Sequence, residues 1–489
     1  MTGGFVDLLR LPDQRPGATF VAVFLVSFML LLGGALRLPP RQLSYSDQSF
    51  YVTIAWDILN HRVYSDGIFD GVDSARAVPP PGMFVAPVYP LLVALVMRYD
   101  KSLAENAGCL VFGLGAVAGT SDCPAYRGWL LPLHMGFLAG ATALLFASAR
   151  RLVGSGAVAV LAALFMVVSL WTYLRFLSLA MTESLALLLF AGAMHGLIRL
   201  SDGGSQRGAA WTGLALGLLA LTRPSHALLL PLAVAWLTML ALRETDHSAR
   251  PRRWAQLAIL TGAMLVPVLP WVARNAMVLD RPGITAGYGP AVLAERLAYN
   301  DMRWDEWAKS FVFWLPDAGD DWARRLFGAA AVDRLDWDLP GSFYLTGQDR
   351  RQLALAAPGG ADAALGGLLR DQVFANPVKH AAVTLALAWR GLWIGRGWML
   401  VVLILAPFGW MALRRSGRLR PVLLYMLPAW IMLFLHAGAS VNQERYNLAL
   451  TFGFSLLSAL GLLTLLARHG RMSKAVADAM SPFALQRSK

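Results

Sequence analysis

Apolar residues fall in long blocks separated by short polar joints, and the blocks set the outline of the chain. Runs of roughly 16 to 20 residues, each long enough for a ~30 Å hydrocarbon core, predict about ten membrane spans. They lie at 18–37, 128–149, 155–174, 184–199, 208–222, 226–242, 255–273, 397–413, 421–437 and 448–467. Two further apolar stretches are interrupted: 84–98 by Pro87 and Pro90, and 378–394 by Lys379, His380 and Arg390. They read as interfacial or re-entrant helices. In the alternative, 84–98 and 104–120 cross as a thin pair, which leaves the sidedness of later loops unchanged. Two long polar intervals remain, 38–127 and 275–396. The first holds an amphipathic pattern after Ser46-Asp47-Gln48. The second holds Trp304-Asp305-Glu306-Trp307 and a charged segment with helical spacing from Gln348 to Ala375.

Composition agrees with this pattern. The chain has 489 residues, of which 57% are hydrophobic and only 15% charged, with mean hydropathy +0.52; a soluble domain carries far more charge. The fold class is therefore an all-α polytopic membrane protein. The formal charge of +13 is mostly a topology signal, because the basic residues alternate between loops. One set holds Arg150 and Arg151, Arg199 and Arg207, Arg243 to Arg253, Arg414 to Arg420, and Arg468 to Lys474. The opposite short loops hold only Arg175, Arg223 and Arg445. The first set, with the termini 1–17 and 468–489, is expected in the cytoplasm, and 38–127 and 275–396 outside. Cations scattered among loops do not make a nucleic-acid footprint, so no nucleic-acid partner is expected. The run 18–37 has no small-residue cleavage site and is expected to stay as an anchor. The chain thus divides into a membrane module 18–274, an external region 275–396 and C-terminal helices 397–467.

The only cysteines, Cys109 and Cys123, both lie in the first external region. A disulfide in an oxidising compartment explains the pair; two unrelated buried thiols are the alternative. The residues with chemical potential sit where spans meet the outer face. Asp47 precedes the amphipathic pattern, and its plain alternative is a solvated loop carboxylate. Glu183, in Met181-Thr182-Glu183-Ser184, opens the fourth span, where an acid also suits the helix dipole. Arg223, Arg274 and Arg445 break the charge rule. Interfacial anchoring beside Trp271 and Tyr446 accounts for them in part; an anionic lipid phosphate is the functional partner.

In order and sidedness these segments resemble the GT-C superfamily of membrane glycosyltransferases, closest to the lipid A aminoarabinose transferases and the protein O-mannosyltransferases. Ser46-Asp47-Gln48-Ser49-Phe50-Tyr51 is similar to the acid that opens the first external loop there, although Gln48 replaces the usual second acid. Pro81-Gly82-Met83 and Pro87-Val88-Tyr89-Pro90 resemble the proline-rich entry to a juxtamembrane helix. Thr182-Glu183 resembles a second loop acid, usually Asp. Thr222-Arg223-Pro224 stands where Lys-Gly is more familiar. Pro270-Trp271 with Arg274-Asn275 matches best, and Arg445-Tyr446 resembles a late Arg-Tyr before the last span.

The resemblance covers roughly residues 18–467. It implies a GT-C-like bundle of ten or more spans, an enzyme in a bacterial inner membrane facing the periplasm, and transfer with inversion from a polyprenyl-phosphate monosaccharide. The acceptor would be a lipid, glycan or protein. It further implies catalytic roles for Asp47 and Glu183 and phosphate binding by Arg274, with Arg223 and Arg445. Gln48, Tyr51, Tyr89, Asn275 and Tyr446 would make acceptor or loop contacts. Metal use varies in the superfamily; a divalent metal stays open, with His226 and His436 as lone options and no ligand set assigned. Two readings compete. A transporter or flippase of lipid-linked intermediates would show repeated halves, and none is evident. A non-catalytic member of an envelope complex would not need Asp47.

Overall fold

A computed structural model of the protein describes residues 11–45, 47–67, 78–113 and 123–468. Among these residues the structure is helical throughout, and its extended pairing is one isolated antiparallel bridge between Arg41 and Tyr126. Among the described residues, seven helices are long and apolar enough to cross a membrane: Pro16–Arg37, Leu130–Val153, Glu183–Ser201, Pro224–Arg243, Arg250–Leu279, Trp398–Arg415 and Leu419–Ala439. The protein is a helical membrane protein. The three other predicted blocks form shorter helices, Gly156–Thr172, Gln206–Ala220 and Leu450–Arg468. At 1.5 Å per residue, the first two reach only about 22–26 Å. The interrupted stretch at 84–98 yields a helix of 10 residues, Val88–Met97, which spans about half a hydrocarbon core.

By compactness the chain divides into two units. One comprises Met1–Ile284, Leu400–Met426 and Thr451–Lys489; the other comprises Thr285–Met399 and Leu427–Leu450. Of the external region predicted at 275–396, residues 275–284 fall in the first unit, and 285–396 share theirs with part of the C-terminal helices, 427–450, a partnership that sequence spacing did not suggest.

In the first unit, Gln206–Ala220 packs on Arg250–Leu279 and Glu183–Ser201, and Leu130–Val153 packs on Pro16–Arg37 and Glu183–Ser201. Helices come this close where side chains are smallest. A Cβ on Gly213 would lie 2.2 Å from the Leu260 carbonyl oxygen, and one on Gly217 would lie 2.4 Å from that of Met264. Gly409 and Gly461 make the reciprocal approach, to the carbonyls of Leu457 and Leu405. With no hydrophobic drive between helices in lipid, such backbone contact is what holds them together.

The predicted external region 38–127 builds its own core. Val52, Ala55, Tyr89, Val93, Leu103 and Leu110 pack together, and the core reaches Leu130 and Leu185 on the long helices. A disulfide joins Cys109 to Cys123, with Cα atoms 5.8 Å apart. Asp100 binds this region together. It accepts bonds from the Tyr126 hydroxyl (2.6 Å), the Trp129 amide (2.9 Å), the Ser102 hydroxyl (2.8 Å) and the Leu103 amide (3.1 Å). Burial opposes its ionisation, but these four bonds outweigh that and hold its carboxyl below the usual range.

The second unit combines shorter helices with the C-terminal part of Leu419–Ala439. Tyr288–Leu297 packs on Phe343–Ala356, and Trp304–Phe313 on Gly319–Phe327 and Pro377–Leu392. Two arginines lie in its interior. Arg296 is fully buried and donates to the Ala437 carbonyl (2.7 Å), Asn300 Oδ1 (3.0 Å) and the Thr384 hydroxyl (3.2 Å). Burial pulls its pKa down to about 9, with nearby Tyr299 raising it and Arg390 lowering it, so it stays charged at neutral pH. Arg390 donates to the Tyr299 hydroxyl (3.1 Å) and the Val441 carbonyl. Its guanidinium carbon lies 4.6–5.0 Å from the ring centres of Tyr299, Trp314 and Trp337.

Candidate functional site

The amphipathic pattern after Ser46 forms the helix Gln48–His61, with Asp47 half-buried at its N-cap position. The helix buries Val52, Ile54 and Ala55 and stops at Arg62, whose φ of 58° is left-handed. Its register is fixed by Gln48, which is only 2% exposed. The side-chain amide of Gln48 donates to the carbonyls of Tyr45 (2.8 Å) and Gln42 (3.3 Å). Its Oε1 accepts from the Ala180 amide at 2.8 Å. The Gln48 amide thus both donates and accepts, and uses both functions to join two segments.

Ala180 leads directly into Glu183, the first residue of Glu183–Ser201. The Glu183 carboxylate is nearly buried and lies 3.5 Å from Arg223 Nη1. Arg223 sits at the bend where Gln206–Ala220 gives way to the 3₁₀ turn Pro224–Leu228. The proline-rich entry joins the same place, since the Val88 amide donates to the Leu221 carbonyl (3.0 Å). Tyr89 is fully buried, donates or accepts at His134 Nε2 (3.0 Å), and meets Tyr51 edge-to-face at 5.0 Å. It is also within electrostatic reach of Glu183. Gln48, Tyr51, Tyr89, Glu183 and Arg223 are therefore linked from four separate segments, and Asp47 adjoins Gln48 at the head of its helix.

Arg274 and Asn275 serve at a different spot. Arg274 Nη1 donates to the Gly82 carbonyl (2.6 Å) and Asn275 Oδ1 (2.8 Å), and Nη2 to the Tyr64 carbonyl (3.2 Å). Its guanidinium lies 5.0 Å from the Trp271 ring centre and 5.8 Å from that of Tyr64. Trp271 Nε1 donates to the Ile284 carbonyl, and Asn275 Nδ2 to the Gly283 carbonyl, both at 2.8 Å. The Pro270-to-Asn275 motif thus latches two loops onto the end of its helix.

The latch brings in an acid that sequence reasoning missed. Asp66 accepts from the Phe84 amide (2.7 Å), and a Cβ on Gly82 would collide with its carboxylate at 2.0 Å. Burial raises its pKa, while bonds from Phe84 and Met83 and the Arg274 charge pull it down less strongly. Asp57, buried and bonded by the Ser65 hydroxyl at 2.5 Å, is raised by burial as well. In the sequence, Asp66 stands in Ser65-Asp66-Gly67 and looks like turn chemistry only.

Arg445 and Tyr446 belong to the second unit. Arg445 is nearly buried, donates to Gln443 Oε1 (2.7 Å) and stacks at 5.3 Å over Tyr446. His436 bonds Asn447 Oδ1 (3.2 Å), and Asn447 in turn donates to Asn442 Oδ1 (2.7 Å). In the first unit, His226 contacts the Ser225 hydroxyl at 3.3 Å and the edge of Phe190. Among the described residues, no three His, Cys, Asp or Glu side chains gather as a metal site. No protein-family model matches the chain, and no curated protein matches it either.

Proposed function

We propose that the protein is a membrane glycosyltransferase of GT-C type. In this reading it moves a monosaccharide, with inversion, from a polyprenyl-phosphate carrier to an envelope acceptor at the periplasmic face of the inner membrane. One observation carries the reading. The Ala180–Gln48 hydrogen bond ties the helix headed by Asp47 to the segment ending in Glu183, which is ion-paired with Arg223. The acid at the N-cap of that helix, a second acid and a cation are thereby tied into one hydrogen-bonded set of segments, and these are the group types that lipid-phosphate leaving chemistry requires.

The reaction divides among them. Asp47 takes the proton of the acceptor hydroxyl as that oxygen attacks the anomeric carbon, a step worth ~10²–10⁴ in rate for a positioned base. The bond from the anomeric carbon to the phosphate oxygen breaks, and the electron pair leaves with polyprenyl phosphate. Arg223 faces the growing phosphate charge. The ion pair with Glu183 orients it. Arg274 acts indirectly, by holding the Tyr64 and Gly82 loops. That role replaces the direct phosphate grip expected from sequence as the better-supported one, because its fork already meets two carbonyls.

The test uses purified full-length protein in lipid nanodiscs with labelled polyprenyl-phosphate monosaccharides and an envelope extract as acceptor. Release of free polyprenyl phosphate with label transfer is the expected result. If no donor is consumed, and cells lacking the protein accumulate no lipid-linked sugar, the reading fails.

A further inference from the structure

The helix Pro16–Arg37 ends beside a cleft of about 470 Å³, counting its open mouth. Its walls include Leu38, Pro40, Arg41, Arg127, Ser178 and Leu179, and no carboxylate lines it. Arg127 donates to the carbonyls of Leu36 and Leu38, which covers the electronegative end of the helix with a cation. The Arg41 guanidinium lies 4.6 Å from the Tyr45 ring centre, held in place by a face that leaves its hydrogen-bond fork unspent. Neither arginine forms an ion pair among the described residues. Arg37, in the last helical turn, adds a third cation.

Below the cleft, the same helix turns an apolar stripe outward. Val21, Leu25, Met29 and Leu36, on one helical face, are 48–67% exposed. A cationic cleft at the end of a lipid-facing helix has the form of an amphiphile site, with an anion above and hydrocarbon below. We propose that the cleft binds the phosphodiester head group of an anionic membrane lipid through the Arg41 guanidinium, with Arg127, whose fork is held by the Leu36 and Leu38 carbonyls, adding its charge alone, and with the acyl chains along Val21, Leu25 and Met29. The cleft shares Gln48 and Ala180 with the candidate site, whereas neither Glu183 nor Arg223 lines it, and lipid binding there does not depend on the proposed transferase activity.

Native mass spectrometry of delipidated full-length protein tests it, with phosphatidylglycerol, phosphatidylcholine and inorganic phosphate as separate probes. Phosphatidylglycerol should bind, phosphatidylcholine should not, and Arg41→Ala should weaken binding about tenfold, the loss of one charge-assisted contact. Pro40→Trp, which narrows the exposed mouth with both charges intact, should weaken it also. Unchanged affinity in both variants, or equal binding of phosphatidylcholine, overturns the proposal. Inorganic phosphate binding as tightly as phosphatidylglycerol would assign the cleft to a free anion and overturn the lipid occupant.

Discussion

In the first unit, helices meet where a glycine lets one backbone touch another; in the second, they meet where a buried arginine collects carbonyls and ring faces. Gly213 and Gly217 set their helix directly against the Leu260 and Met264 carbonyls. Arg390 instead gathers Tyr299, Trp314, Trp337 and Val441 around one charge. The difference follows from the surroundings each sequence anticipates. Long apolar helices gain little from burying hydrocarbon in lipid, so close approach decides their packing. Short helices such as Gly319–Phe327 offer little apolar area, and a guanidinium with its long stem can hold several of them together at once.

The largest expected effect is at Arg390. Arg390→Met keeps most of the volume but leaves the Tyr299 hydroxyl and Val441 carbonyl without their donor and removes three cation–π contacts. The cost should be about 3 kcal/mol or more. It should appear as protease cleavage within 285–399 while the first unit stays resistant. A variant as resistant as the parent would mean that the aromatic packing holds this unit without the charge. Next comes Gly217→Val, which forces a side chain into the Met264 carbonyl and should lower stability by about 1–3 kcal/mol. Thermal unfolding in detergent reads it, and an unchanged midpoint would show that the helices separate easily.

The smallest effect concerns Asp100. Its carboxyl is held below the usual range, so its contribution is full above the unfolded value of about 3.9 and is lost as pH falls through the lower folded value. Asp57 and Asp66, raised by burial, act in the opposite sense, and stability falls as pH rises from that same value through their folded ones. Asp100→Asn should cost about 1–2 kcal/mol at pH 7 and flatten the acid-side loss. Retention of the parent's acid slope would assign that loss to other groups.

The spans were legible because continuous apolar runs report directly on membrane crossing, and seven of them appear as full-length helices. The convergence of the candidate site was not. The bond that joins Gln48 to Ala180 bridges 132 residues, and no local pattern encodes it. Arg390 looked like an interruption in an interfacial helix; its partners lie 91 and 51 residues away, at Tyr299 and Val441. At Arg274, residue type alone did not separate a phosphate ligand from a latch on two carbonyls, since a guanidinium suits both.

Asp47→Asn tests the central claim most directly, because it keeps shape and hydrogen bonding while removing basicity. In nanodiscs, donor binding should stay within about twofold of the parent, while sugar transfer falls by about 10²-fold or more. A folded Asp47→Asn protein that binds donor and transfers sugar at near-parent rates would contradict the assignment of Asp47 as the base.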